Sequence, residues 1–236
     1  MNETFEIFGP KSLPVTSILV DFEASADKVR KVVLYHRKFF RFEHEVVVCR
    51  ENPNVDGVQF FGGHPVGILW QWIMDFHVTF LCDLCPSKFA LVYNCDGFII
   101  NPRMWTDEFL EWDYVGAPEV LGDWRWELDR MAAVGQVKAI KDRSVVGSGK
   151  FSLRSKKFME AGRNFRPTHC RFYTNREDIY LCGEKREGMI AQGVRFCPVG
   201  LASRFSRTSD DGRSLKWCFG FDGMAEDVRE LTKGVL

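Results

Sequence analysis

Compact apolar runs alternate with helical spacing along the first hundred residues. Val15-Thr-Ser-Ile-Leu-Val20 has the length and apolarity of a buried strand, closed by Asp21. Asp27 to Phe40 then carries Val29, Val32, Val33, Tyr35, Phe39 and Phe40 at helical spacing. His44-Glu-Val-Val-Val-Cys49 reads as a second strand. Strand, helix and strand within about 35 residues make a βαβ unit, which implies a parallel sheet. Val58 to Phe61 predicts another strand before Gly62-Gly63.

Further on, Gly67 to Leu81 has the length of a helix and is rich in Trp and Phe. Phe89-Ala-Leu-Val-Tyr-Asn94 predicts a core strand running straight into Cys95-Asp96-Gly97, and Phe98 to Ile100 continues it or starts a short neighbour. Trp105 to Trp112 reads as a short acidic helix, left by the loop Asp113 to Pro118. Leu121 to Asp142 mixes its signals. Val145 to Leu153 reads as strand and Gly-rich loop. Ser155 to Ala161 predicts a helix N-capped by Ser155, because a Ser hydroxyl can take a free amide of the first turn. Glu177 to Gly188 predicts a helix, Val194 to Cys197 a strand, and the tail holds Leu215 to Phe221 and a last helix. The pattern predicts an α/β fold with a parallel sheet that begins in the βαβ unit.

Composition narrows the class. The 236 residues suit one large α/β domain or two small ones. Lys+Arg and Asp+Glu both number 32, too balanced for a protein that coats nucleic acid through phosphates. The 21 Phe predict an aromatic core or a stacking cleft. No run is long enough for a membrane span, Val66 to Ile73 being far too short. The start lacks the basic and apolar parts of a signal peptide, so a cytoplasmic setting with the eight Cys as thiols is expected.

Four local constellations carry candidate chemistry, and each has a plain structural reading. Asp96 follows a buried strand, where open α/β sheets bind ligands, yet Asp-Gly is also a common turn. Gly147-Ser148-Gly149-Lys150 has backbone amides that can cradle phosphate or sugar oxygens, or simply form a tight turn; it lacks P-loop and GxGxxG spacing. Glu177-Asp178 at a helix start can be dipole partners or a general base. Cys82-Asp-Leu-Cys85, with His77 nearby, is short of a zinc set and reads as structural thiols.

Taken in order, the blocks resemble a known family. Asn94-Cys-Asp-Gly-Phe-Ile-Ile-Asn-Pro102, then Asp113-Tyr-Val-Gly-Ala-Pro118, is similar to the Q-T-D-G-F and D-Y-I-G-A-P-W segments of DUF5672, a glycosyltransferase-like family of bacteria and phages. Val146 to Ser155 resembles its G-N-G-G-F-S-L-R-S block, Asn175 to Asp178 its E-D block, and Lys216 to Gly223 its F-G-F-H-G block. The sequence departs at Asn94, Cys95, Glu119 and Asp222, the last standing where His is usual.

This resemblance implies a single GT-A-like nucleotide-sugar-binding domain around a mostly parallel mixed central sheet flanked by helices, with 1–100 as its nucleotide-binding half and 101–236 as its acceptor and catalytic half. It implies an enzyme moving a sugar, with UDP-sugar the commonest donor, to a hydroxyl. Asp96 would hold Mn²⁺ or Mg²⁺ with Asp222 as presumed partner. Asp21, Asn94, Gly147, Ser148, Gly149, Arg154 and Lys216 would contact donor. Asp178, with Glu177 beside it, would supply the base, and Asp113 and Tyr114 would face the acceptor. The phage members suggest a hydroxymethylated pyrimidine in DNA, served by a groove of Arg195, Arg204, Arg207 and Arg213 with Phe196 and Phe205. Transfer to surface glycan and a non-catalytic binding module of the same fold are the alternatives.

Overall fold

The computed structural model describes residues 10–63, 73–120, 144–165, 177–208 and 217–223. The apolar run around Val15 lies within strand β1 (Lys11–Asp21), followed by helix α1 (Ala26–Arg37) and strand β2 (Phe40–Cys49). Both strands are longer than the apolar runs alone suggested, because their first residues pair with each other from Lys11↔Phe40 onward. In α1 the buried positions are Val29, Val32, Val33 and His36, a stripe spaced by three and four residues facing the sheet. Each fully buried valine contributes roughly 1.5–3 kcal/mol by leaving water. Ser25 caps the helix, its side chain accepting from the Lys28 amide.

Strands β3 (Gln59–Gly62) and β4 (Phe89–Tyr93) complete the parallel part, with β2 parallel to β3 and β1 parallel to β4. Beyond β4 lie β9 (Phe151–Ser155), antiparallel to both neighbours, and β6 (Tyr114–Gly116). The sheet order is β3-β2-β1-β4-β9-β6. This is the mixed, mostly parallel sheet that the family resemblance implies. β4 is buried along its whole length, as expected of a central strand covered on both faces.

Two smaller sheets sit beside it. Strand β5 (Gly97–Ile99) pairs with β11 (Gly220–Asp222), which pairs with β10 (Ser206–Arg207). Strands β7 (Pro118–Val120) and β8 (Ser144–Val146) form a hairpin-like pair. Phe98 therefore starts a new sheet rather than continuing β4.

Several local expectations change in the tertiary context. Tyr114 to Gly116 is a strand and not a loop, because β9 supplies a ladder through Tyr114↔Arg154 and Gly116↔Ser152 that outweighs the Gly-Ala-Pro turn signal. The acidic helix resolves into 3₁₀ turns at Pro102–Met104 and Asp107–Glu111, capped by Asn101 and Thr106. The helix expected from Glu177 to Gly188 widens to π geometry over Ile179–Glu184, where Lys185 N–H reaches back to the Tyr180 carbonyl at 2.8 Å. A second helix, Arg186–Ala191, then follows. Val194 to Cys197 offers only a bridge between Phe196 and Tyr114. Ser155 does cap the helix Lys156–Arg163, accepting from Phe158 N–H at 3.0 Å. Leu121 to Asp142, the first part of the Gly67–Leu81 helix and the final helix lie outside the described residues. Among the described residues no helix is long and apolar enough to cross a membrane.

Candidate active site

A cleft of about 590 Å³ opens at the carboxyl ends of β1 and β4. That is where chain reversals beyond a parallel sheet leave room for a ligand. Its wall includes Asp21 to Ser25 from the β1–α1 connection, Lys28 from the first turn of α1, Asn94 and Asp96 after β4, and Gly149 and Lys150 before β9. His77, Glu177 and Asp178 also line it, Asp178 beside Gly149.

Asp21 ends β1 and serves the backbone. Its Oδ1 accepts from the Glu23 and Ala24 amides at 2.9 and 2.8 Å, and its Oδ2 from the Cys95 amide at 3.0 Å. It thereby ties the two loops of the cleft together. Asn94 Oδ1 accepts from Asp96 N–H at 3.0 Å, while Gly97 N–H returns to the Asn94 carbonyl, closing the turn. A Cβ on Gly97 would lie 2.7 Å from the Lys150 carbonyl, so this turn needs glycine. The turn is also held from the small sheet by Gly223 N–H, 3.3 Å from the Asp96 carbonyl.

Asp96 itself is partly exposed, and its Oδ1 accepts from Lys28 Nζ at 3.0 Å. Asp222 lies in β11 opposite Gly97, close along the chain path, but its side chain is buried and is not part of the cleft wall. Among the described residues no group of three His, Cys, Asp or Glu is arranged to hold a metal. The residues present therefore do not fit a cage made by protein alone. Asp96 offers one partly exposed carboxylate, enough for one ligand of a divalent ion whose other ligands come from outside the described residues.

The Gly-rich loop differs from the expected amide cradle. Gly147 N–H and Ser148 N–H both point to the Ala117 carbonyl, at 3.4 and 3.1 Å, and Gly149 N–H donates to Asp178 Oδ2 at 2.7 Å. All these amides are already bonded within the protein, and Gly147 and Ser148 do not reach the cleft wall. What the loop presents instead is Gly149 against the acidic pair. A Cβ there would stand 2.5 Å from Glu177 Oε1.

Behind the wall is a buried polar network. Arg154, 1 % exposed, donates from Nε to Ser152 Oγ at 2.9 Å, and from Nη2 to Gly149 O at 3.1 Å and Glu177 Oε1 at 2.7 Å. Its Nη1 lies 3.4 Å from His77 Nδ1. Burial works to raise the Glu177 carboxyl, but its neighbours, His77 when protonated and Arg154 through its charge and hydrogen bond, outweigh it and hold it well below the usual carboxylate range. Burial pushes His77 down against the pull of Glu177, so at neutral pH the imidazole is neutral and Arg154 is the cation on Glu177. Tyr114 packs under Arg154, and its hydroxyl lies 2.9 and 3.0 Å from the Gly147 and Ser148 carbonyls. Tyr114 thus supports the loop from below.

Asp113 is not brought to the cleft. It sits beside Ser155, at the end of β9 that pairs with the start of β4, which is the far end of the sheet. Its Oδ1 accepts from Ser155 Oγ and its Oδ2 from Arg195 N–H, both at 2.8 Å. Lys216 and Arg213 lie outside the described residues. Phe196, Phe205 and Arg207 are buried, so these members of the proposed nucleic-acid groove are core residues and not a stacking surface. Cys82 and Cys85 are buried free thiols; burial pushes Cys85 up to about 11, which suits an inert structural role.

The sequence reading missed Lys28 and His77 as cleft residues. Lys28 is legible in hindsight as a cation one turn into the helix after Asp21. Nothing in the local sequence marks His77, which reaches the site only through packing.

The sheet order, the single antiparallel strand β9 and a cleft at the ends of β1 and β4 define a GT-A-type fold. The chain belongs to the family described as protein of unknown function DUF5672, which it matches over residues 75–220. Among solved structures it is similar to a glycosyltransferase involved in glycosylation of the major capsid of PBCV-1. That likeness has a TM-score of 0.52 at 9 % identity and covers 96 % of this chain and 98 % of that one. It is also similar to the galactosyltransferase LgtC, solved with donor and acceptor sugar analogues, with a TM-score of 0.40 at 9 % identity over 89 % and 87 % of the two chains. A search of the curated proteins finds no match.

Proposed function

We propose that the protein is a glycosyltransferase that moves a sugar from a nucleoside diphosphate to a hydroxyl acceptor. The observation that carries this reading is a single cleft that gathers Asp96, Lys28 and Asp178 at the carboxyl ends of parallel strands. Its volume of about 590 Å³ suits a ligand of nucleotide-sugar size. The activity named for the PBCV-1 neighbour, which shares the fold over nearly its whole length, agrees with it.

The nucleoside would lie along Asp21 to Ser25, with Asn94 near the ribose, and the diphosphate at the Asp96 turn. A bound Mn²⁺ or Mg²⁺ at Asp96 would supply Lewis-acid neutralisation of the leaving diphosphate. In the transfer the acceptor oxygen bonds to the anomeric carbon and the bond from that carbon to the phosphate oxygen breaks, its electron pair leaving on the diphosphate. The acceptor proton goes to Asp178. Glu177 is a poor base, because its ion pair with Arg154 favours the carboxylate and opposes taking a proton. Its work is to fix Arg154, which in turn holds the Gly149 carbonyl. Asp178 is oriented by Gly149 N–H and by its own helix through Ile179 N–H at 2.8 Å.

A screen of nucleotide sugars, UDP-sugars first, for release of the nucleoside diphosphate tests the reading. Asp96→Ala should abolish release, and Asp178→Asn should lower kcat by about 10²–10⁴ with donor KM little changed. Tight nucleotide-sugar binding without turnover on any hydroxyl acceptor would show a binding module instead.

A further inference from the structure

Lys28 belongs to none of the motifs, yet it occupies the carboxylate around which the donor site is built. The cleft wall carries Asp21, Glu23, Asp96, Glu177 and Asp178 against Lys28, Lys150 and a neutral His77. Asp21 and Asp178 are met by backbone amides, and Glu177 by Arg154. Asp96 is met by Lys28, across 68 residues of chain. A diphosphate entering so acidic a cleft needs a cation within reach.

Lys28 is placed to be that cation. It stands in the first turn of α1, with its amide fixed to Ser25 Oγ. Its side chain is 34 % exposed and that of Asp96 30 %, so both are open to a ligand. Burial works against the ammonium charge, but the hydrogen bond and charge of Asp96 outweigh it, and the Lys28 pKa is raised. A half-exposed pair of this kind adds little to folding, so its position is not explained by stability.

We propose that Lys28 is the resident cation of the donor site, neutralising Asp96 in the free protein and passing to the donor's diphosphate when that binds. The inference rests on the glycosyltransferase reading above. The exchange would free Asp96 as one ligand for a divalent ion, whose binding Lys28 would otherwise oppose.

Calorimetric titration of UDP, GDP, CDP and ADP into wild type, Lys28→Met, Lys28→Arg and Asp96→Asn tests this, each in chelator and in Mn²⁺. In chelator the best nucleoside diphosphate should bind wild type and lose about tenfold or more in Lys28→Met, with most affinity kept in Lys28→Arg. Asp96→Asn in chelator should bind as well as wild type or better, since its lysine is already released. Mn²⁺ alone should bind Lys28→Met more tightly than wild type. Equal diphosphate affinity of wild type and Lys28→Met overturns the proposal, as does a loss in Asp96→Asn as large as that in Lys28→Met. If no nucleoside diphosphate binds any variant in either condition, the donor-site reading itself fails and takes this inference with it.

Discussion

Arg154 Nη2 lies 2.7 Å from Glu177 Oε1, and both side chains are almost wholly out of solvent behind the cleft. A buried pair is costly to break from one side, because the remaining charge is left without a partner. Arg154→Met should therefore destabilise the protein by about 3–5 kcal/mol, measured by chemical denaturation. Adding Glu177→Gln should recover part of that loss, so a double-mutant cycle should show coupling. Additive losses would mean that the two side chains do not act as a unit.

Gly149 is needed for space rather than for a ligand. An added Cβ would meet Glu177 Oε1 at 2.5 Å and Arg154 Nη2 at 3.1 Å. Gly149→Ala should cost about 1–3 kcal/mol through overpacking and should lower kcat by displacing Asp178. A melting temperature and kcat equal to wild type would contradict this.

Asp113 should behave as a structural residue. It joins Ser155 Oγ and the Arg195 amide at the sheet end away from the cleft. Asp113→Ala should lower stability by about 1–3 kcal/mol and leave acceptor KM unchanged at a temperature where the variant is folded. A raised acceptor KM in a fully folded variant would return Asp113 to the site.

His36 gives a stability signature in acid. It is fully buried, its Nε2 accepts from Ile99 N–H at 3.1 Å, and burial lowers its pKa to about 3. Between its ordinary value near 6.5 and about 3 the unfolded chain binds the proton and the folded protein does not. Stability must therefore fall as pH falls through that window, by up to about 1.4 kcal/mol per pH unit from this group. Denaturation at pH 7.5 and 5 should show a smaller drop for His36→Gln than for wild type, although His36→Gln is less stable at pH 7.5. Glu177 acts lower down: its carboxyl is held below its ordinary 4.5, so its contribution is lost only as pH falls below that value, outside the comparison.

What the sequence determined by itself was set by near neighbours. The α1 stripe and the Ser155 cap depend on contacts within a few residues, and each strand of the βαβ start on its own apolar run, so these patterns are written locally. The positions of Asp21 and Asp96 at strand ends follow from those same runs, and the ordered blocks around Asp96 marked it as more than a turn. Tertiary structure decided the rest. Tyr114 became a strand because β9 offered it a ladder, and Asp113 was drawn away from the cleft by the same pairing. The loop amides of Gly147 to Gly149 went to Ala117 and Asp178 instead of a ligand. Lys28 met Asp96 across 68 residues, and His77 met Arg154 across 77. Such pairings exist only once distant segments have been brought together by a common core, and no local pattern encodes which of several competing partners a buried charge or amide will take.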